Sequence, residues 1–323
     1  LHLVTLLRGA HKLPPELRLL DLCTGTGCIP LLFQHELHAA RDDIQVQALG
    51  VDVADEALEL ARHNAQKLGN NRPGEDGGQL ELLQADVLLD PFADLCRGPL
   101  PLKVALNRHG YSPFWDILIS NPPYISPAGY WKTTTRSVRG FEPKLALVPP
   151  PAARRSDTQQ GDLFYPRLLD IARDVEAKIV LLEVADLEQA HRIVRRARAL
   201  DIFDGMEIWR EDPSAPSDTS TGEDGVPLMG QGNARSVLCW RGAGSSWLGK
   251  TAGHDDAIRL FHSSSSRLPP VSTTTDGKSL RPQFDASNWT EELTRTALMS
   301  ALEVTRRRRT GGWVPWDASN KKP

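Results

Sequence analysis

Residues 17–242 are predicted to form a doubly wound α/β domain, with a mostly parallel seven-stranded sheet and an antiparallel hairpin at one edge. Three observations predict it. Short apolar runs alternate with helical patterns along the whole segment. An acidic residue stands at or near the end of each of the first three runs. The last two runs follow one another with no long helix between them.

The elements follow in order. LRLLDLC (17–23) reads as a strand, and IPLLFQHEL (29–37) as the helix after it. VQALGVDV (46–53) is a second strand. DEALELARHNAQKL (55–68) is an amphipathic helix with Ala57, Leu58, Ala61, Ala65 and Leu68 on one side. LELLQADV (80–87), FWDILISN (114–121) and AKIVLLEVA (177–185) supply three more strands. DLFYPRLLDIARDV (162–175) and DLEQAHRIVRRARAL (186–200) supply two more helices, the arginines of the second forming a solvated face. MEIWRE (206–211) and RSVLCWR (235–241) are the closing hairpin strands. Segment 69–79 (GNNRPGEDGGQ) reads as a turn-rich loop and 96–113 as a surface insertion.

Composition bounds the function. The chain has 323 residues, 40% of them hydrophobic and 24% charged, which is the profile of a soluble globular protein. No run approaches the ~20 apolar residues that a membrane-spanning helix needs. Thirty-eight basic residues against 41 acidic ones argue against a generic polyanion binder. The four cysteines, Cys23, Cys28, Cys96 and Cys239, form no CxxC pair and stand near no histidine cluster, so neither a zinc site nor a disulfide scaffold is expected.

Residue 1 is Leu, and 1–16 reads as the remnant of a truncated N-terminal region. Beyond residue 242 the composition turns to Ser, Thr, Gly and Pro, so 243–286 is expected to be a low-complexity linker. Residues 287–323 are expected to form an amphipathic helix, N-capped at Thr290, with a basic tail through Arg306–Arg309.

Two segments carry chemistry. In DLCTGTGCIP, the turn Thr24-Gly25-Thr26-Gly27 lies between a strand and a helix, where backbone N–H groups can approach a ligand closely. The third glycine of the dinucleotide pattern is missing, its place taken by Pro30. Asp21 precedes the turn, Asp52-Val53 ends the second strand and Asp86-Val87 the third. A carboxylate at Asp52 can accept both ribose hydroxyls of an adenosine, so a nucleoside-containing cofactor is expected at these strand ends. The fourth strand runs into Asn121-Pro122-Pro123-Tyr124. Two prolines stiffen the chain and remove two N–H donors. The Asn121 amide oxygen and the Pro122 carbonyl then form a rigid acceptor pair that can grip an –NH2 group by both hydrogens, beside the flat face of Tyr124. Such a pair orients a poorly nucleophilic nitrogen for attack on an electrophilic carbon, with no metal and no nucleophilic side chain.

With these residues the sequence resembles the class I S-adenosylmethionine-dependent methyltransferases, and within them the HemK/PrmC release factor glutamine methyltransferases of bacterial and mitochondrial type. DLCTGTG resembles that family's glycine motif, GVDVADEALELARHNA its ribose-binding segment and NPPYIS its catalytic motif. FEPKLALV (141–148), GDLFYPRLLDIA (161–172) and IVLLEVADLEQA (179–190) strengthen the match, which spans about 17–242. The resemblance implies S-adenosyl-L-methionine as cofactor, held by Asp21, Thr24, Gly25, Thr26, Gly27, Asp52, Val53, Asp86, Val87 and Asn121. It implies Asn121, Pro122, Pro123 and Tyr124 as catalytic residues, with Glu142 and Pro143 shaping the substrate channel. The implied substrate is the glutamine of a Gly-Gly-Gln loop in a peptide-chain release factor. A monomer that engages neither membrane nor nucleic acid directly is expected, in mitochondria or otherwise in the cytoplasm. Cys23 departs from the family, which usually carries glycine there, and 149–160 expands a normally short connection. Two other readings compete: an adenine-N6 or guanine-N2 nucleic-acid methyltransferase using the same acceptor pair, and a degenerate fold that only binds.

Overall fold

The computed structural model describes residues 1–68, 80–90, 92, 98–216, 222 and 224–250. Helix α1 (His2–Arg8) leads into β1 (Glu16–Leu22), α2 (Cys28–Ala40), β2 (Gln45–Asp52), α3 (Asp55–Lys67) and β3 (Leu80–Gln84). Next come α4 (Leu102–Arg108), β4 (Ile117–Ser120), α5 (Pro127–Thr133), α6 (Arg136–Phe141), a 3-10 turn at Lys144–Ala146 and α7 (Asp157–Gly161). The described part closes with α8 (Phe164–Asp174), β5 (Ile179–Glu183), α9 (Leu187–Ala199), β6 (Gly205–Asp212), β7 (Leu228–Met229), β8 (Gln231–Trp240) and α10 (Ala243–Trp247).

The strands form one sheet in the order β3-β2-β1-β4-β5-β8-β6-β7. Neighbours from β3 to β5 are parallel, and β8 is antiparallel to both β5 and β6. All seven strands expected from the sequence are present, and β7 adds a two-residue eighth on the outside of β6. The closing hairpin is not simply appended at the edge: its second strand is inserted between β5 and β6. Val237, Leu238 and Cys239 are fully buried there.

Side-chain alternation explains why the strands read as nearly continuous apolar runs. In β1, Leu17 and Leu19 join the core on one face while Leu20 and Leu22 join the core on the other. In β2, Val46 and Ala48 divide from Leu49 and Val51 in the same way. A parallel sheet covered on both faces by helices requires this.

Four expectations need correction. Segment 96–113 is no surface insertion over its described part, because α4 buries Leu102, Val104, Ala105 and Leu106 against the core. The fold continues past residue 242: α10 buries Trp247, and its indole N–H donates to the Lys12 carbonyl at 3.0 Å. Leu68, placed on the buried side of the second helix, is 63% exposed, since α3 ends at Lys67. The α9 arginines are paired rather than simply solvated. Arg192 grips Asp162 at 2.5 and 3.0 Å, Arg195 pairs with Asp224, and Arg198 donates to the Asp224 carbonyl. Residues 1–16 are folded onto the domain, with Leu3, Val4 and Leu7 of α1 buried. The loop at 69–79, Cys96 and the tail from residue 251, including the expected helix capped at Thr290, lie outside the described residues.

Candidate active site

Parallel neighbours point their carboxyl ends the same way. The residues that follow β1, β2, β3 and β4 therefore gather at one edge of the sheet. This brings the Thr24–Gly27 turn, Asp52, Asp86 and Asn121 together, although they span a hundred residues of sequence.

The glycine turn is fastened from below and from both sides. The buried Thr24 hydroxyl donates to Asp21 Oδ2 at 2.6 Å, and the Thr24 N–H donates to the Val51 carbonyl at 2.9 Å. Asp52 accepts from the Gly25 N–H at 2.8 Å through one oxygen and from the Ala54 N–H at 2.9 Å through the other. Asn64 of α3 donates to the Thr26 carbonyl at 3.0 Å. Two glycines permit the approach. Gly27 has φ +74°, and a Cβ there would stand 3.1 Å from the Ala61 Cβ. A Cβ on Gly50 would stand 2.8 Å from the Thr24 hydroxyl. Val53 offers its carbonyl to Gln84 rather than to the cleft. After β3, Asp86 Oδ1 accepts from the Leu88 N–H, Val87 is buried, and Arg167 of α8 donates to the Val87 and Leu89 carbonyls.

Cys23 adopts φ +62° at the start of this turn. A left-handed residue with a Cβ is strained by roughly 1–2 kcal/mol, which is why glycine suits the position. Burial, then the charges of Asp52 and Asp21, push its thiol well above the ordinary range, so it is held neutral. Cys23→Gly is expected to keep stability within about 1 kcal/mol, because relief of strain offsets glycine's greater freedom in the unfolded chain. The same change is expected to tighten cofactor binding several-fold by opening the turn. Calorimetric titration checks it, and weaker binding would make the thiol a contact instead.

Asp21 is fully buried, and no hydrogen bond reaches its Oδ1. Burial is the main cause, with the charge of Asp52 adding to it against the Thr24 hydrogen bond, of a carboxyl pushed up to about 7. The folded protein then holds a proton that the unfolded chain releases near 4. Stability falls as pH rises from about 4 to about 7, by up to roughly 4 kcal/mol for this one group. Asp21→Asn is expected to flatten that slope in the ligand-free protein, as melting temperatures at pH 5 and pH 8 would show. Equal slopes would refute the assignment.

On the neighbouring strand, Asn121 is exposed and its side chain bonds to no described residue, while Pro122 and Pro123 are buried. Tyr124 is fixed at both ends. Its hydroxyl donates to Glu183 Oε1 at 3.0 Å, and its carbonyl accepts a longer contact from Gln189 Nε2 at 3.4 Å. Burial, the Glu183 charge and this hydrogen bond keep the Tyr124 phenol far above its usual value, and burial raises the Glu183 carboxyl as well. A cavity of about 340 Å³ opens beside Asn121, lined by Ile29, Phe33, Ile119, Glu183 and Arg235 among others.

Glu142 and Pro143 stand exposed between α6 and the 3-10 turn. Gly50, Asn64, Arg167, Glu183 and Gln189 were not singled out from the sequence. Glu183 and Gln189 do lie in the IVLLEVADLEQA block, and a polar residue at the end of a buried strand was the available signal. Among the described residues there is no cluster of three metal-ligating side chains and no helix long and apolar enough to cross a membrane.

No family model matches the chain. Individual relatives do. A release factor glutamine methyltransferase of Chlorobaculum tepidum is 36% identical over 132 residues, covering 41% of this chain and 35% of that protein. One of Bacillus subtilis is 29% identical over 208 residues, covering 64% and 58%. The mitochondrial MRF1 N(5)-glutamine methyltransferase of Saccharomyces cerevisiae is 31% identical over 138 residues, covering 43% and 34%. The chain thus spans between a third and three fifths of the length of these relatives. Among solved structures, a SAM-dependent methyltransferase from Agrobacterium tumefaciens is 15% identical with a TM-score of 0.39, covering 74% of this chain and 60% of that one. The sheet order, with β8 antiparallel between β5 and β6, is that of the class I methyltransferase fold.

Proposed function

We infer that this chain, related in sequence to the HemK/PrmC release factor glutamine methyltransferases, methylates the side-chain amide nitrogen of the glutamine in a release factor's Gly-Gly-Gln loop, using S-adenosyl-L-methionine. One observation carries the reading. An exposed Asn121 side chain that bonds to no described residue is followed by two buried prolines and a pinned tyrosine, one strand away from a glycine turn braced by Asp52.

The residues at the turn fit the cofactor. Open space lies over Gly25, Asp52 has lone pairs free for ribose hydroxyls, and the loop after β3 is clamped by Arg167 at the adenine side. When bound, the sulfonium supplies an electrophilic methyl group. The chain supplies orientation. Asn121 Oδ1 and the Pro122 carbonyl accept the two amide hydrogens of the substrate and draw the –NH2 group toward tetrahedral geometry as its lone pair attacks. The Glu183–Tyr124 hydrogen bond holds the aromatic ring beside it. One of the two gripped hydrogens then leaves the alkylated, positively charged nitrogen for water, so no side-chain base is needed.

The bacterial and mitochondrial names of the relatives support an acceptor of bacterial or organellar type, and mitochondria as the compartment. The test is transfer of labelled methyl from S-adenosylmethionine to such a release factor, with RNA and DNA offered in parallel. Label on the protein, lost when the Gly-Gly-Gln glutamine is changed, is the expected result. Label on nucleic acid would replace this reading with base methylation.

A further inference from the structure

We propose that the excursion between the Asn121–Tyr124 motif and α8 is the docking surface for the acceptor protein, and that it takes an acidic face flanking the reactive glutamine. This rests on the glutamine methyltransferase reading.

Position comes first. The excursion leaves the motif at Ser126, whose hydroxyl caps α5. It returns where the Ile125 N–H donates to the Leu147 carbonyl at 2.9 Å, and where Gly161 packs against the Tyr124 carbonyl. A protein that brings a side chain to Asn121 therefore has this surface beside it.

Charge comes second. Residues 127–155 carry six basic side chains and one acidic, Glu142, in a chain of net charge −3. Elsewhere Arg18, Arg41, Arg173, Arg192, Arg195 and Arg235 pair with carboxylates, while the exposed Arg8, Arg62 and Arg196 stand singly, scattered along the chain rather than concentrated in one segment. Within the excursion, neither Lys132, Arg136, Arg139, Lys144, Arg154 nor Arg155 forms an ion pair with a described residue. Asp157, just beyond this stretch, accepts from the Ala128 N–H and the Ser126 hydroxyl and also feels the charge of Lys132. Unpaired cations on one patch are available to a partner, and they steer a protein of opposite sign.

Exposed apolar surface comes third. Phe141 is 90% exposed and Trp131 67%. Aromatic residues beside arginine are what protein interfaces concentrate. The Arg139 guanidinium lies 5.4 Å from the Trp131 ring centre, and the Lys144 ammonium 5.4 Å from that of Tyr130. Tyr130 is buried, so its ring is closed to stacking bases, and a net charge of −3 over the chain works against a polyanion, which favours a polypeptide with an acidic face over RNA.

The experiment compares the full chain with Arg136→Glu/Arg155→Glu, two exposed positions whose side chains bond to no described residue, and separately with Trp131→Ala. Each is assayed on the intact release factor and on a short Gly-Gly-Gln peptide, alongside cofactor affinity and release-factor binding at two salt concentrations. The double variant is expected to lose about tenfold in kcat/KM on the intact protein. It should also show a weaker salt dependence, with the peptide rate and cofactor affinity unchanged. Wild-type efficiency on the intact protein, or an equal loss on the peptide, would overturn the inference. So would loss of RNA binding with methylation of the release factor intact. If the wild-type chain labels the peptide glutamine but does not bind the intact protein, docking falls while the glutamine reading stands. If it labels neither, both fall.

Discussion

Replacing Asn121 with alanine is expected to lower turnover by roughly 10²- to 10³-fold, the scale seen when one preorganised partner of a developing charge is removed. Affinity for S-adenosylmethionine should stay within about twofold, because the turn that would hold it is braced by Asp21, Asp52 and Asn64 and not by Asn121. The pattern separates catalysis from binding. Asn121 is exposed and bonds to no described residue, so its truncation breaks no hydrogen bond of the fold and the melting temperature should hardly move. Single-turnover rates with cofactor saturating would read the effect directly. Full activity in Asn121→Ala would remove the acceptor pair from the mechanism.

Gln189→Ala is expected to have the largest effect on stability, about 3 kcal/mol, because several buried groups lose a partner at once. Gln189 is 3% exposed at the start of α9. Its Oε1 accepts from the Ala185 N–H at 2.8 Å and lies 3.2 Å from the Tyr165 hydroxyl. Its Nε2 donates to Asp162 Oδ1 at 2.9 Å and reaches toward the Tyr124 and Gly161 carbonyls. One amide thus joins the end of β5, the start of α8 and the motif that presents Asn121. Turnover should fall with stability, since the Tyr124 carbonyl loses this contact. Denaturant unfolding and kcat measured together would check it. A cost below about 1 kcal/mol would mean that water replaces the amide.

These two residues also show how much was readable in the chain. Asn121 announced itself, because a buried strand running into Asn-Pro-Pro-Tyr is a local pattern whose chemistry follows from the residues alone. The strands were readable for the same reason, since burial on both faces leaves uninterrupted apolar runs. Gln189 and Asn64 were not, because each acts on backbone groups in another element, 65 and 38 residues away. Their side chains look like ordinary helix polar residues until the sheet order is known. Helix α4 was hidden differently. Its two short turns, flanked by Pro99, Pro101 and Gly110, carry the composition of a loop. The inward placement of β8 could not be read either, because strand order in space is not strand order in sequence.

That placement has a consequence for how the protein is made. Among the described residues β8 is the last strand of the sheet in chain order, yet it fills the gap between two strands completed earlier. Until about residue 240 has left the ribosome, β5 has an unpaired backbone edge facing outward. The half-sheet β3-β2-β1-β4-β5 can assemble during synthesis, but its free edge is a template for any passing strand. Closure by β8 is therefore the late, non-local step, and the interval before it is when the nascent chain is most exposed to aggregation.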